Sequence, residues 1–247
     1  MRIVLAILIV TGVLGISSLS AAAEEKFAAD VFKTTAGDLK ITFIGHGTLM
    51  MEWSGKVIHV DPVMQMADYG KLPKADLILI THDHPDHLDA KAIELTTKPD
   101  KTVLLLTAAG AGKLKRGEIM KDGNVRTWSG VRIETVPAYN LVHKRPDGQP
   151  YHPKGVGTGY VLTLADKKIY IAGDTEDIPE MKNLKNIDIA FLPMNLPYTM
   201  TPEMTAAAAN SFKPHILYPY HFAETDTRKI VYLLKDSGIE VRIRNMK

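Results

Sequence analysis

The sequence predicts a mixed α/β (α+β) domain folded as a four-layer αββα sandwich. Three observations carry that expectation. β-Prone runs fall in two groups, one in each half of the chain, and each group has short helical patterns of its own. A chain of 247 residues with 45% hydrophobic composition suits one sizeable core. No linker, short-period repeat or low-complexity tract divides it. Residues 24–247 are expected to form this one domain.

The elements follow in order. From about Val31 the pattern is strand-like, with runs at Leu39–Ile44, Thr48–Met51 and Lys56–Val60 punctuated by Gly45, Gly47 and Ser54-Gly55. A strand over Asp76–Ile80 precedes Asp89, which is placed to cap a helix through Ile93 and Leu95. Thr102–Leu106 reads as a strand and Ala108–Leu114 as a small-residue helix. A hairpin with Asp122-Gly123 at its tip is expected next, then a strand over Val131–Val136. Leu141–Gly157 is a long Pro- and Gly-bearing loop, and loops of that length are usually functional or mobile. The second half repeats the logic. Strands Gly159–Leu164 and Lys168–Ala172 flank an Ala165-Asp166 turn, and a short helix around Ile178–Leu184 precedes the strand Ile187–Leu192. Thr201 as N-cap and Pro202 at the first helical position open a helix through Ala206–Ala209, whose alanines serve packing. Ile216–Tyr218 is a strand leading to His221, and a helix over Thr225–Leu234 and a strand over Ile239–Arg242 close the chain.

Residues 1–23 read differently. Arg2, the apolar run Ile3–Ile16 and the small-residue end Ala21-Ala22-Ala23 make a cleavable secretory signal, with cleavage after Ala23. The apolar run is shorter than the roughly 20 residues that span a bilayer, so no stable membrane anchor is expected after cleavage. The chain has no Cys, which excludes a lipid-modified Cys and structural disulfides. The expected location is periplasmic or secreted. The net charge of +2 comes without blocks of like charge, so nothing points to nucleic acid. A small-molecule substrate is the expected partner.

The run Thr81-His82-Asp83-His84-Pro85-Asp86-His87 places three imidazoles and two carboxylates in seven residues, directly after an apolar strand. Groups crowded in this way repel one another when protonated, and a divalent cation removes the conflict. Neutral imidazole and carboxylate are ligands that suit zinc. In an extended loop, residues two apart point the same way, so His82 and His84 can grip one ion while Asp86 and His87 turn toward a second position. Strand ends supply more donors: Asp174 in Ala172-Gly173-Asp174-Thr175, and His221 in Tyr218-Pro219-Tyr220-His221. His59 and His215 read as packing or surface residues. Neither Thr107–Leu114 nor Gly155–Tyr160 has the glycine spacing and context of a phosphate or dinucleotide loop.

The order HxHxDH, Gly-Asp-Thr, Pro-Tyr-His resembles the metallo-β-lactamase superfamily, and most closely the branch that includes ascorbate-6-phosphate lactonase. Phe43-Ile44-Gly45-His46-Gly47-Thr48 and Val60-Asp61-Pro62 fit that branch, and the likeness covers roughly residues 37–222. The resemblance implies a metallo-β-lactamase-like sandwich with two zinc ions, manganese or iron being the alternatives. It implies His82 and His84 on the first ion, Asp86, His87 and His221 on the second, and Asp174 bridging them. It places His46 at the mouth of the site with a catalytic or substrate-contacting role, and gives Asp61 the task of fixing a ligand imidazole's tautomer. One position departs: where the family supplies a third histidine to the first ion, this chain has Asn140, whose amide oxygen is a poorer zinc ligand. Asn140 is then a supporting residue, and either a histidine of the long loop takes its place, His152 in preference to His143, or the first site is weak.

The implied activity is that of an exported zinc-dependent hydrolase. Cations lower the pKa of bound water, and the hydroxide so formed attacks an ester, lactone or phosphodiester, oriented by Asp86 and Asp174. Asn195, Tyr198 and Thr199 follow a strand and are candidate substrate contacts. A true β-lactamase is disfavoured, because no Cys is present to serve as a ligand. Two other classes stay open: an iron-dependent redox enzyme on the same fold, and a non-catalytic metal-binding envelope protein.

Overall fold

A computed structural model describes residues 27–247. The expected signal segment, residues 1–23, lies outside the described residues. The first sheet has seven strands in sequence order: β1 (Ala28–Thr34), β2 (Gly37–Gly45), β3 (Thr48–Trp53), β4 (Lys56–Val60), β5 (Leu77–Leu79), β6 (Val103–Leu106) and β7 (Glu118–Ile119). Strands β1–β4 are an antiparallel meander, whereas β4–β7 run parallel. The change follows from the connections. Two-residue turns join the first four strands, while parallel pairing needs longer crossovers: the irregular segment 61–76 between β4 and β5, helix α1 (Ala90–Thr96) between β5 and β6, and helix α2 (Ala108–Leu114) between β6 and β7.

The second sheet repeats the plan with seven strands: β8 (Val125–Trp128), β9 (Val131–Ala138), β10 (Gly157–Leu164), β11 (Lys167–Ile171), β12 (Ile189–Pro193), β13 (Ile216–Tyr220) and β14 (Glu240–Val241). It is antiparallel through β11 and parallel from β11 onward. Helices α3 (Pro202–Phe212) and α4 (Arg228–Leu233) belong to this half. Caps set the helix starts as expected: Asp89 accepts from the N–H groups of Lys91 and Ala92, and Thr201 accepts from that of Met204.

The main core draws on both sheets. Leu39, Ile41, Leu49, Met51 and Ile58 of the first join Ile133, Tyr160, Leu162, Ile169 and Phe191 of the second. The solid apolar run Leu77–Ile80 is explained by strand alternation. Leu77 and Leu79 enter the main core, while Ile78 and Ile80 enter a separate cluster with Ile93 and Leu106 on the helix side.

Two expectations are corrected, and a third is met in 3₁₀ form. The turn at Asp122-Gly123 forms, with Asn124 N–H donating to the Lys121 carbonyl at 2.9 Å, but it is not a hairpin tip. β7 pairs with β6 in the first sheet and β8 with β9 in the second, so the turn is the crossing between sheets. The hairpin turns instead at Ser129-Gly130, both with positive φ. The short helix expected around residues 178–184 forms, as the five-residue 3₁₀ helix Pro179–Asn183 opened by a proline. The helix expected from Thr225 starts at Arg228, whose N–H is held by the Asp226 carboxylate at 3.0 Å. Among the described residues, no helix is long and apolar enough to cross a membrane.

Candidate metal centre

Strand ends and one tight turn bring the predicted donors to a single place. The His-rich segment leaves β5 and is folded back by His87 N–H and Leu88 N–H, which both donate to the His84 carbonyl at 3.0 and 2.8 Å. Asp83 points away and pairs with Lys113 at 2.7 Å, which explains why the second carboxylate position in the run, Asp86, is the one facing the donors. Asp174 follows β11 and His221 follows β13, and His221 N–H donates to the His46 carbonyl at 3.1 Å. Gly173 is required where the chain leaving β11 is hemmed in: its φ is +67°, and a Cβ there would lie 2.9 Å from the carbonyl oxygen of Thr158 in β10 and 3.1 Å from Cβ of Thr81 after β5.

Three donor groups result, each with ligand atoms within 4.8 Å of one another: His82, His84 and His152; His46, Asp86, His87 and His221; and His82, His87 and Asp174. The Asp174 carboxylate lies between the first two groups. Its Oδ2 is 3.2 Å from His152 Nε2, 3.4 Å from His221 Nε2 and 3.9 Å from His82 Nε2, and its Oδ1 is 3.5 Å from His87 Nε2.

Neighbours fix the rings. His87 Nδ1 donates to Asp61 Oδ2 at 2.8 Å, and Asp61 also accepts from Thr81 N–H and Oγ1 at 2.8 and 2.6 Å. Asp61 therefore orients His87 so that Nε2 faces the site. His152 Nδ1 donates to Asn140 Oδ1 at 2.7 Å, which turns its Nε2 toward Asp174 in the same way. The Asn195 amide lies 3.3 Å from His221 Nδ1.

Electrostatics divides the cluster. Burial drives His82 well below the usual imidazole range, helped by the neighbouring His87, and burial likewise lowers His84; both are held in the neutral, ligating form. For His87, burial opposes the proton but Asp174 and Asp61 outweigh it and push the imidazole up to about 9. With Nδ1 engaged by Asp61, a cation at Nε2 competes with that proton. Burial works against the charge of Asp174 too, yet the surrounding imidazoles hold it well below the usual carboxylate range.

The residues fit a metal. His82 Nε2, His87 Nε2, His221 Nε2 and Asp174 Oδ1 are buried and have no hydrogen-bond partner. Each such atom ordinarily costs about 1–3 kcal/mol. Four of them beside one another, all imidazole nitrogen or carboxylate oxygen, form a donor set suited to divalent cations.

Other expectations fall differently. His46 does not stand apart at the mouth. Its Nε2 is 3.1 Å from Asp86 Oδ2 and its ring centroid 3.7 Å from that of His221, inside the second group. The alternative donor His143 faces away, its Nδ1 2.7 Å from the buried carboxylate of Glu176. Asn195 and Tyr198 line a cleft of about 820 Å³ over Asp86, Asp174 and His221, together with Arg145 and Tyr151. Thr199 is corrected: it is fully buried, and its hydroxyl accepts the Asn195 N–H at 2.8 Å, so it braces the loop and does not reach the cleft. His59 is buried in β4 and bonded to the Pro73 carbonyl at 2.9 Å, as a packing residue should be. Sequence reasoning missed Thr81, Arg145, Tyr151 and Glu176. Thr81 adjoins His82, Tyr151 adjoins His152 and Glu176 directly follows Gly173-Asp174-Thr175, so each had a marked neighbour; Arg145 had only the long loop 141–157 to point to it.

The family model described as "Beta-lactamase superfamily domain" matches residues 40–221. The chain belongs to the metallo-β-lactamase superfamily. Curated superfamily relatives agree: a Thermococcus kodakarensis protein named UPF0173 metal-dependent hydrolase is 33% identical over 196 residues, covering 74% of this chain and 84% of the relative. Two solved structures with this superfamily's sandwich are also similar. A crystal structure from Parabacteroides distasonis, provisionally named a metal-dependent hydrolase, is 50% identical with a TM-score of 0.86, covering 90% of this chain and 100% of that one. Igni18, a metallo hydrolase from Ignicoccus hospitalis, is 25% identical with a TM-score of 0.69, covering 83% and 94%.

Proposed function

We propose that this metal-dependent hydrolase holds two zinc ions and cleaves an ester, lactone or phosphodiester, acting outside the cytoplasm after loss of residues 1–23. One observation carries the reading: two adjacent donor groups with the Asp174 carboxylate between them. His82, His84 and His152 would hold the first ion, Asp86, His87 and His221 the second, and Asp174 would touch both. Bound there, the cations would acidify water and polarise the carbonyl or phosphoryl oxygen attached to the carbon or phosphorus under attack.

The chain's own residues do the positioning. Burial opposes ionisation of Asp86, but the His221 imidazole 3.7 Å away and the bond with His46 outweigh it and keep the carboxyl far below its usual range. It therefore stays a hydrogen-bond acceptor for the attacking water, and His46 keeps it in place at 3.1 Å. The cleft of about 820 Å³ admits a small molecule. Tyr151 and Tyr198 meet edge to face with centroids 5.0 Å apart and offer an apolar wall. Arg145 bonds the Tyr151 carbonyl at 3.1 Å through Nη2, and its remaining N–H groups are suited to an anionic group on the substrate.

The test assays a neutral nitrophenyl ester, a lactone and bis(nitrophenyl) phosphate with the wild type, Asp86→Asn and Arg145→Ala. Asp86→Asn is expected to lose at least ~10²-fold in kcat with an unchanged circular-dichroism spectrum. Arg145→Ala is expected to raise KM for the phosphodiester and leave the neutral ester alone. Full turnover in Asp86→Asn would remove the water-orienting role, and an equal KM rise on both substrates would remove the anion site.

A further inference from the structure

Asn140 stands at the end of β9, and its side chain has little freedom. Nδ2 donates to Glu176 Oε1 at 3.0 Å and to the Tyr198 carbonyl at 2.9 Å. With the nitrogen committed on that side, Oδ1 must face the other way. There it accepts twice from His152, from the backbone N–H at 2.9 Å and from Nδ1 at 2.7 Å. A third bond, from Asn140 N–H to the His152 carbonyl at 2.9 Å, completes the pairing of these two residues. His152 is buried although it lies on the long loop between β9 and β10.

Glu176 holds the other side. It is fully buried, and its carboxylate accepts from three consecutive backbone N–H groups, those of Leu141, Val142 and His143, at 2.7, 2.6 and 2.7 Å. Its own N–H donates to the Tyr139 carbonyl at 3.0 Å. One carboxylate thus fixes the root of the loop and the orientation of the Asn140 amide.

We propose that Glu176 is a positioning residue for the first metal group: acting through Asn140, it sets the place and tautomer of His152, so that a loop histidine serves where the strand end offers none. The proposal rests on the reading that His82, His84 and His152 hold an ion. Glu176 touches neither ion nor substrate in this scheme. Its effect is transmitted by the amide, since turning the Asn140 side chain would present N–H to the Nδ1 donor of His152 and break the pair.

The experiment measures bound zinc per chain by plasma mass spectrometry, and zinc affinity by competition with a chelator, on the full mature chain. Glu176→Gln and Asn140→Ala are each expected to weaken one of two zinc sites about 10–100-fold while the other keeps its affinity. Asn140→Ala leaves the Glu176 carboxylate and its backbone donors intact, and so keeps the test valid should Glu176→Gln fold poorly. A second background separates positioning from general stability. In His152→Ala with Asn140→His, the third imidazole comes from the strand end, so the second zinc returns and adding Glu176→Gln costs no zinc affinity. Two zinc sites of unchanged affinity in both single variants would overturn the proposal, as would equal weakening of both sites. A wild type that binds a single zinc would instead overturn the two-ion reading on which it rests.

Discussion

His59 shows how much a single buried residue weighs. Its Nε2–H donates to the Pro73 carbonyl, while Nδ1 is buried without a partner. Burial lowers its pKa from 6.5 to about 4. The sign follows from linkage. Above pH 6.5 the ring is neutral in both folded and unfolded chains, and stability does not change with its protonation. As pH falls from 6.5 toward 4, the unfolded chain takes up the proton and the folded chain resists, so stability is lost, by roughly 3 kcal/mol in all. Denaturant unfolding of the wild type and His59→Gln at pH 7.5 and 4.5 should show the variant gaining about 2–3 kcal/mol relative to the wild type at the lower pH. A pH-independent difference between the two would contradict this. His59 was readable as a packing residue from its place in a β-prone run. Its protonation was not, because desolvation depends on what covers the strand.

At the scale of elements, turns place the donors. The turn between β2 and β3 carries His46 and Gly47, and a Cβ on Gly47 would lie 2.6 Å from Cε1 and 3.0 Å from Nδ1 of His87. That nitrogen is the one bonded to Asp61. Gly47→Ala should therefore push the ring off Asp61, costing about 1–3 kcal/mol of stability and lowering bound metal and turnover together. Thermal unfolding with metal analysis checks it; a variant with full metal content would show that the ring can yield without leaving its place. The strands bearing donors were legible, since each apolar run ends in the residue that matters. The Asp122-Gly123 hairpin was not. The local turn chemistry was read correctly, but β7 is drawn back across α2 to Leu105 and Leu106 of the first sheet, while β8 pairs forward with Glu134 and Ile133 of the next strand.

Across the whole molecule, Asp30 ties the sheets together. It lies in β1, accepts from Tyr218 of β13, and takes two bonds from Arg244 at 2.7 and 2.6 Å near the chain end. Arg244 also lies over the rings of Phe43 and Tyr218 at 5.5 and 5.7 Å. Burial opposes the charge of Asp30, but these bonds win and lower its pKa. A carboxylate with a depressed folded pKa stabilises fully above its unfolded value of about 3.9, and that contribution is lost as pH falls through the folded value. Asp30→Asn should cost about 1–3 kcal/mol at pH 7, with the gap to the wild type narrowing below about pH 4. Equal stability of the two proteins at pH 7 would show that the cluster contributes nothing.

The sequence by itself determined the superfamily and the donors close together in the chain, because HxHxDH carries its own spacing and strand-end residues announce themselves by the apolar runs before them. It also marked Asn140 as the departure. Only the tertiary structure decided what answers that departure. Asn140 stands 12 positions from His152 and 36 from Glu176 along the chain, and they meet because β9 and β11 flank β10, run in the same direction and finish at the same end of the second sheet. Nothing local records such a meeting: hydrogen bonds between distant residues depend on strand register and loop path, which the packing of the two sheets sets.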